Sequence, residues 1–214
     1  MAKFGRRATA PGRGAGLLWK YKFMNVEYEA TFVNINKDVV RNKLISVGAK
    51  KIRSEFLQKR VTLNLPGGHE LKGGWLRVRD EGDKITLSLK VVDGNKIENQ
   101  KEISLVIDSL ENARTLLRTI GCTEKSCQET KRELWKIGDV EVTIDEWPFL
   151  EPFVEIEGPS EQAVKEVAGE LGFEWSKVKF CAVGTLYAEK YGISEDKINN
   201  QTPKIVFEMN NPFV

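Results

Sequence analysis

The residues of this chain that could do chemistry stand in like-charged pairs two positions apart. Glu27 and Glu29 form one pair, Arg77 and Arg79 a second, Glu155 and Glu157 a third. A spacing of two places both members on one face of a β-strand, where like charges repel by tenths of a kcal/mol to about 1 kcal/mol. A solvated strand face would account for an isolated acidic pair, but acidic and basic pairs together point to a shared ligand. Arginine suits planar, bidentate contact with phosphate, and lysine supplies a point charge. Arg60, Arg77, Arg79, Lys90 and Arg132 fall on such faces or in comparable strand positions. Carboxylates are the hard donors that Mg²⁺ or Mn²⁺ takes, and Glu27, Glu29, Asp145, Glu155 and Glu157 are the candidates. Mg²⁺ uses one or two protein carboxylates and fills its octahedron with water and phosphate oxygens. A triphosphate needs both sets of groups, and catalysis on it is mostly positioning and charge neutralisation.

Strands must carry these pairs, and period-2 alternation recurs in segment after segment. Val26, Tyr28, Ala30 and Phe32 alternate with Glu27, Glu29 and Thr31. In LQKRVTLNL, Leu57, Val61, Leu63 and Leu65 share a face with Lys59, and Gln58, Arg60, Thr62 and Asn64 share the other. Leu76 and Val78 oppose Arg77 and Arg79; Ile85, Leu87, Leu89 and Val91 oppose Lys84, Thr86, Ser88 and Lys90. Val140, Val142 and Ile144 oppose Glu141, Thr143 and Asp145, while Val154 and Ile156 oppose Glu155 and Glu157. Helical spacing marks NKDVVRNKLISVGAK and SLENARTLLRTIGC, with Gly48 and Gly121 as C-terminal stops. Each follows a strand and precedes another, so strand–helix–strands is a weakly repeated unit. SEQAVKEVAGELG is a third helix and TLYAEKYG a shorter fourth. A half-buried sheet with its polar faces in water would explain the alternation alone. The charge pairs favour a closed β-barrel with the polar faces inside and the apolar outside covered by helices.

Bulk properties narrow the function. The 214 residues suit one domain with short appendages. Residues 1–23 hold six basic residues and no acid, leaving 27 basic against 31 acidic, a net of −4, for the remainder. That balance argues against a nucleic-acid protein with a broadly basic body. The Gly-, Ala-, Arg- and Pro-rich first 23 residues read as a disordered basic extension. They fit a transit-like segment, a basic arm or translation from an upstream start, since Met24 opens the patterned sequence. Cys122, Cys127 and Cys181 lack zinc-ligand pairing and read as reduced thiols. The single His69 sits in the loop PGGHELKGG, which leaves no Ser-His-Asp or Cys-His chemistry to build. No apolar run approaches the roughly 20 residues of a membrane span. There is no GxxxxGK[ST] loop and no GxGxxG after a strand.

Glu27-Tyr-Glu29 resembles the ExExK signature of the CYTH superfamily, the triphosphate tunnel metalloenzymes. Further elements follow in that family's order: Leu76-Arg77-Val78-Arg79, Leu87-Ser88-Leu89-Lys90, Lys101-Glu102, Lys131-Arg132-Glu133-Leu134-Trp135, Val142-Thr143-Ile144-Asp145 and Phe153-Val154-Glu155-Ile156-Glu157. The resemblance spans about residues 25–190 and implies an α+β fold, a closed eight-stranded antiparallel barrel with helices packed outside. On that reading the tunnel domain covers residues 24–194, with residues 195–214 as a tail. It implies Mg²⁺ or Mn²⁺ on Glu27, Glu29, Glu155 and Glu157. Polyphosphate would lie on Arg60, Arg77, Arg79, Lys90, Lys131 and Arg132, with Glu27, Glu29 and Asp145 catalytic. The family includes class IV adenylyl cyclases and thiamine, inorganic and RNA triphosphatases. Thr31 stands where the signature has lysine, which removes one cation; Lys59, Lys84 and Lys131 are the candidate replacements. Three readings follow: a metal-dependent phosphohydrolase of a triphosphate compound, a class IV-type adenylyl cyclase, or a non-catalytic polyphosphate- or nucleotide-binding protein. The expected partner is a small-molecule triphosphate, with no nucleic acid and no membrane, in the cytoplasm. The reading leaves room for a homodimer.

Overall fold

In the computed structural model, which describes residues 24–214, the first strand is split at Glu27 into β1 (Asn25–Val26) and β2 (Tyr28–Phe32). The basic extension expected over residues 1–23 lies outside the described residues. β1 pairs with β6 (Gln100–Ile107), whereas β2 pairs with β9 (Phe153–Gly158). From β6 the sheet continues through β5 (Ile85–Val92), β4 (Gly74–Asp80), β3 (Lys50–Asn64), β7 (Thr123–Ile137) and β8 (Val140–Glu146) to β9. All these neighbours are antiparallel. One run of chain, residues 25–32, therefore joins both ends of the sheet and closes it into a barrel, which leaves no open edge at the seam. Gln100 fastens that seam: the Glu27 N–H donates to its carbonyl at 2.9 Å, and its Nε2 donates to the Glu29 carbonyl at 2.7 Å. The strand count differs from the expected eight because the closing strand is broken in two. A further two-residue strand, β10 (Lys204–Ile205), pairs parallel with β7 outside the ring.

The alternation turns the apolar side outward. Ala30, Phe32, Val142, Ile144, Val154 and Ile156 form one core with Val40 and Leu44 of α1 (Lys37–Ser46) and Val164 and Val167 of α3 (Glu161–Glu170). Val61, Leu63 and Val78 pack under Ala113 and Leu117 of α2 (Leu110–Thr119). Each fully buried aliphatic side chain stabilises by about 1.5–3 kcal/mol, so the core lies between barrel and helices and leaves the interior to charged groups. α1 opens on Asn36, whose side chain accepts from the Asp38 and Val39 N–H groups; α2 opens on Ser109, which accepts from Asn112. Gly48 and Gly121 follow the two helices at φ 76° and 96°, where a Cβ would be strained. Each helix then leads into one of the 15-residue strands β3 and β7, which pair with each other.

The C-terminal segment docks on the barrel. After α4 (Val183–Tyr191) come α5 (Glu195–Asn200) and β10, and Phe213 packs with Trp147, Phe153 and Tyr187. Asn199 of α5 borders the tunnel, so residues expected as a tail help to form one mouth. Among the described residues no helix is long and apolar enough to cross a membrane.

Candidate active site

The inward strand faces meet in one cavity, lined by Glu27, Glu29, Arg60, Arg77, Arg79, Lys90, Arg132, Glu155 and Glu157. Two expected site residues stand elsewhere. Lys131 follows the opposite parity to Arg132 and leaves the barrel; its Nζ lies 3.6 Å from Glu146 and 4.6 Å from the centre of the Phe207 ring. The triphosphate contact expected of Lys131 is therefore corrected to an outer-face contact. Asp145 shares the inward face but has no exposure, because it lies beneath Arg132. Arg132 Nε donates to Oδ1 at 2.7 Å and Nη2 to Oδ2 at 2.8 Å, while Thr143 Oγ1 donates to Oδ2 at 2.7 Å. Both oxygens are engaged, and Asp145 does not line the cavity. The residue expected as catalytic thus stands behind Arg132 and holds it.

Lys90 is already neutralised. Its Nζ lies 2.9 Å from both Glu27 and Glu102, and Arg77 reaches Glu102 at 3.2 Å. Glu102 was missed as a site residue, although Gln100, Glu102 and Ser104 alternate with Lys101 and Ile103 as an inward strand face would. Burial pushes Glu27 up to about 7 despite Lys90, and Glu102 adds to the rise. Against the same burial, Lys90 and Arg77 hold Glu102 far below the usual carboxylate range. On the opposite wall burial raises Glu29 strongly, with Glu155 as the next cause, and burial and Asp145 raise Glu155.

The arginines are less evenly matched. Arg132 reaches Glu155 at 2.5 Å as well as Asp145, and Arg79 reaches Glu81 at 2.7 Å. Arg60 has no carboxylate within ion-pair distance among the described residues. Its Nη2 donates to Gln58 Oε1 at 2.9 Å and Thr130 Oγ1 at 2.6 Å, and its guanidinium lies 4.7 Å from the Trp147 ring centre. The buried Nε has no partner. Burial, then Arg79, Arg77 and Arg132, drive the Arg60 pKa well down. A buried cation in that position calls for an anion.

The carboxylates fit a hard divalent cation. Glu29 stands opposite Glu157 in register, and Thr31 opposite Glu155. Burial raises both Glu29 and Glu155, Glu155 adds to the rise of Glu29 and Asp145 to that of Glu155, and a bound cation would favour their ionised forms. Among the described residues no three His, Cys, Asp or Glu side chains converge as a preformed cage. The set thus suits Mg²⁺ or Mn²⁺ bound by one or two carboxylates with water and phosphate oxygens. Thr31 is buried, and its backbone exchanges two 3.0 Å hydrogen bonds with Lys179. None of the three lysines considered as its replacement occupies its place. Lys59 is exposed, Lys131 is outside, and Lys84 sits at the far mouth with Glu81, Glu141 and Phe56.

The sequence matches the CYTH domain over residues 63–180, more than half of the chain. The chain belongs to the CYTH domain family. A candidate adenylate cyclase of Methanocaldococcus jannaschii is 26% identical over 133 residues, which cover 62% of this chain and 76% of that protein. A candidate adenylate cyclase of Vibrio parahaemolyticus superposes with a TM-score of 0.66 at 13% identity, over 77% of this chain and 98% of that one. A candidate adenylyl cyclase of Hippeastrum, described as having a dominant triphosphatase activity, superposes at 0.50 and 14% identity, over 78% and 96% of the two chains. At such identities the two structures speak for the CYTH fold alone. The triphosphate tunnel enzymes of the family use divalent metals, which accords with the carboxylate wall.

Proposed function

We propose that this CYTH protein is a metal-dependent phosphohydrolase acting on a triphosphate compound held inside the barrel. The observation that carries the reading is the convergence of Arg60, Arg77, Arg79 and Arg132 on one cavity, with no carboxylate of the described residues within ion-pair distance of Arg60. Phosphoryl oxygens supply the missing anion, and guanidinium groups match them in bidentate geometry. Asp145 and Glu155 fix Arg132, and Glu81 orients Arg79, so these donors are preorganised where charge develops. Glu29, Glu155 and Glu157 would hold the divalent cation, which when bound neutralises phosphoryl oxygens and orients the chain. Glu27, near neutrality, is the carboxylate suited to take a proton from attacking water. The water oxygen bonds to the terminal phosphorus, the bridging P–O bond breaks, and the leaving diphosphate stays neutralised by the arginines.

The names of the archaeal and Vibrio relatives favour a second reading, adenylyl cyclase, in which the ribose 3′-oxygen attacks the α-phosphorus and diphosphate leaves. Incubation with inorganic triphosphate and with ATP, each with Mg²⁺ or Mn²⁺, separates the readings. Orthophosphate from either substrate supports the hydrolase, and cyclic AMP with diphosphate supports the cyclase. Binding without product leaves a non-catalytic polyphosphate-binding protein.

A further inference from the structure

The two mouths of the tunnel differ in the residues found at one and not the other. One has Glu81 and Glu141 beside Lys84, with Arg79 and Arg132 deeper in the wall. The other is bordered by Lys125, Asn199 and residues 182–184, none of them a carboxylate. Lys125 reaches it through a β-bulge. Thr62 faces Ser126 across β3 and β7, but Leu63 faces Glu124, so Lys125 is one residue more than the register needs. An extra residue of this kind re-aims a side chain. Glu124 turns outward to Arg114 and Arg118, whereas Lys125 lines the cavity. Among the described residues no carboxylate comes within ion-pair distance of Lys125.

α4 starts at the same mouth. Its N-cap is Ala182, which offers no side-chain acceptor, and Val183 and Gly184 line the cavity. Their N–H groups precede the first intrahelical bond and carry the positive end of the helix dipole. An independent observation points to an anion there. Arg60 lines the same cavity at 7% exposure, and its Nε is buried without a partner.

We infer that this mouth is an anion subsite, in which the Lys125 ammonium and the Val183 and Gly184 N–H groups, beside Arg60, hold one phosphoryl group of the bound polyphosphate. The subsite rests on the triphosphate reading above and extends it. The chain lies along the tunnel with one end among the carboxylates and the other under α4.

The test is calorimetric binding of inorganic triphosphate in Mg²⁺ to the wild-type chain and to Lys125→Ala, Lys125→Arg and Val183→Pro. Lys125→Ala should weaken binding about tenfold or more, as loss of a hydrogen bond to a charged group does. Lys125→Arg should recover most of the affinity, which a purely structural role for the lysine stem would not require. Val183→Pro removes one N–H donor at the first helical position, where proline is tolerated. Ala182 already has the extended backbone that precedes proline, φ −74° and ψ 157°. This variant should bind several-fold more weakly with an unchanged melting temperature. If the wild type binds triphosphate and Lys125→Ala and Val183→Pro match it, the subsite is overturned and the triphosphate reading stands. Failure of arginine to recover the Lys125→Ala loss also overturns the subsite. If the wild type does not bind triphosphate, the underlying reading falls.

Discussion

Replacing Asp145 by asparagine tests whether the arginine cluster is held in place from beneath. The side chain keeps its shape but loses its charge, and its amide nitrogen must face either Arg132 or Thr143, both of which now donate. Removing one partner of a buried ion pair costs about 3–5 kcal/mol. Arg132 retains Glu155 at 2.5 Å, which places this variant near the lower end, about 3 kcal/mol. For a chain of this size that is a fall of roughly 6–12 °C in melting temperature. Arg132 would then stand under-neutralised beside Arg60, Arg77 and Arg79, so an anion in the tunnel relieves more repulsion than in the wild type. Thermal unfolding with and without inorganic triphosphate should show both a lower starting temperature and a larger ligand-induced rise. A fall of under about 2 °C would refute the positioning role of Asp145.

Three further outcomes follow from the tunnel. The folded pKa of Glu27, about 7, exceeds its ordinary 4.5, so its contribution to stability is complete below pH 4.5 and is lost as pH rises through 7. Glu29 and Glu155 shift in the same direction, and Mg²⁺ needs ionised carboxylates, so its stabilising effect should grow between pH 5.5 and pH 8; equal melting shifts at both would contradict this. Lys131→Ala should leave triphosphate affinity within about twofold, since an exposed ion pair is worth at most about 1 kcal/mol, whereas Arg79→Ala should weaken it at least about tenfold. Glu29→Gln should abolish Mg²⁺-dependent turnover while metal-free triphosphate binding, measured by calorimetry in EDTA, survives or tightens.

Strand faces were legible because burial and charge alternate with the backbone itself. Val61, Leu63 and Val78 had to face a helix, and that fixed Arg60, Thr62 and Arg77 inside. The same rule separates Lys131 from Arg132, but adjacent basic residues in a motif conceal a parity that only the register with β8 exposes. Asp145 shows the next limit: its face was legible, but burial beneath Arg132 depends on how deep β8 lies in the wall. Lys125 was illegible because a bulge breaks the period on which the reading relied. The split at Glu27 was also hidden, since strand alternation continues across it while the hydrogen-bonding partner changes from β6 to β9. The docked C-terminal segment has no alternation long enough to announce it.

Thr31 is where the chain departs from the family signature, and the structure gives that departure a physical consequence. It stands opposite Glu155 on the β2–β9 pair, and two backbone hydrogen bonds to Lys179 hold its strand position. With no cation at position 31, Arg132 serves both Glu155 and Asp145. Thr31→Lys would place an ammonium on the same wall as Glu155, leaving Arg132 to Asp145 and free to turn toward phosphate. A hydrogen bond to a charged group contributes about 1.5–3 kcal/mol, and desolvating the lysine offsets part of it, so the net gain is about tenfold at most. Turnover of inorganic triphosphate with Mg²⁺ and the melting temperature should be measured together. A rise in turnover in a variant that melts like the wild type identifies the missing cation as the limit on catalysis. Unchanged turnover in an equally stable variant means that the chemistry does not use a cation there. If Glu29→Gln then also leaves turnover untouched, the arginine cluster serves binding alone, and the non-catalytic reading replaces the hydrolase.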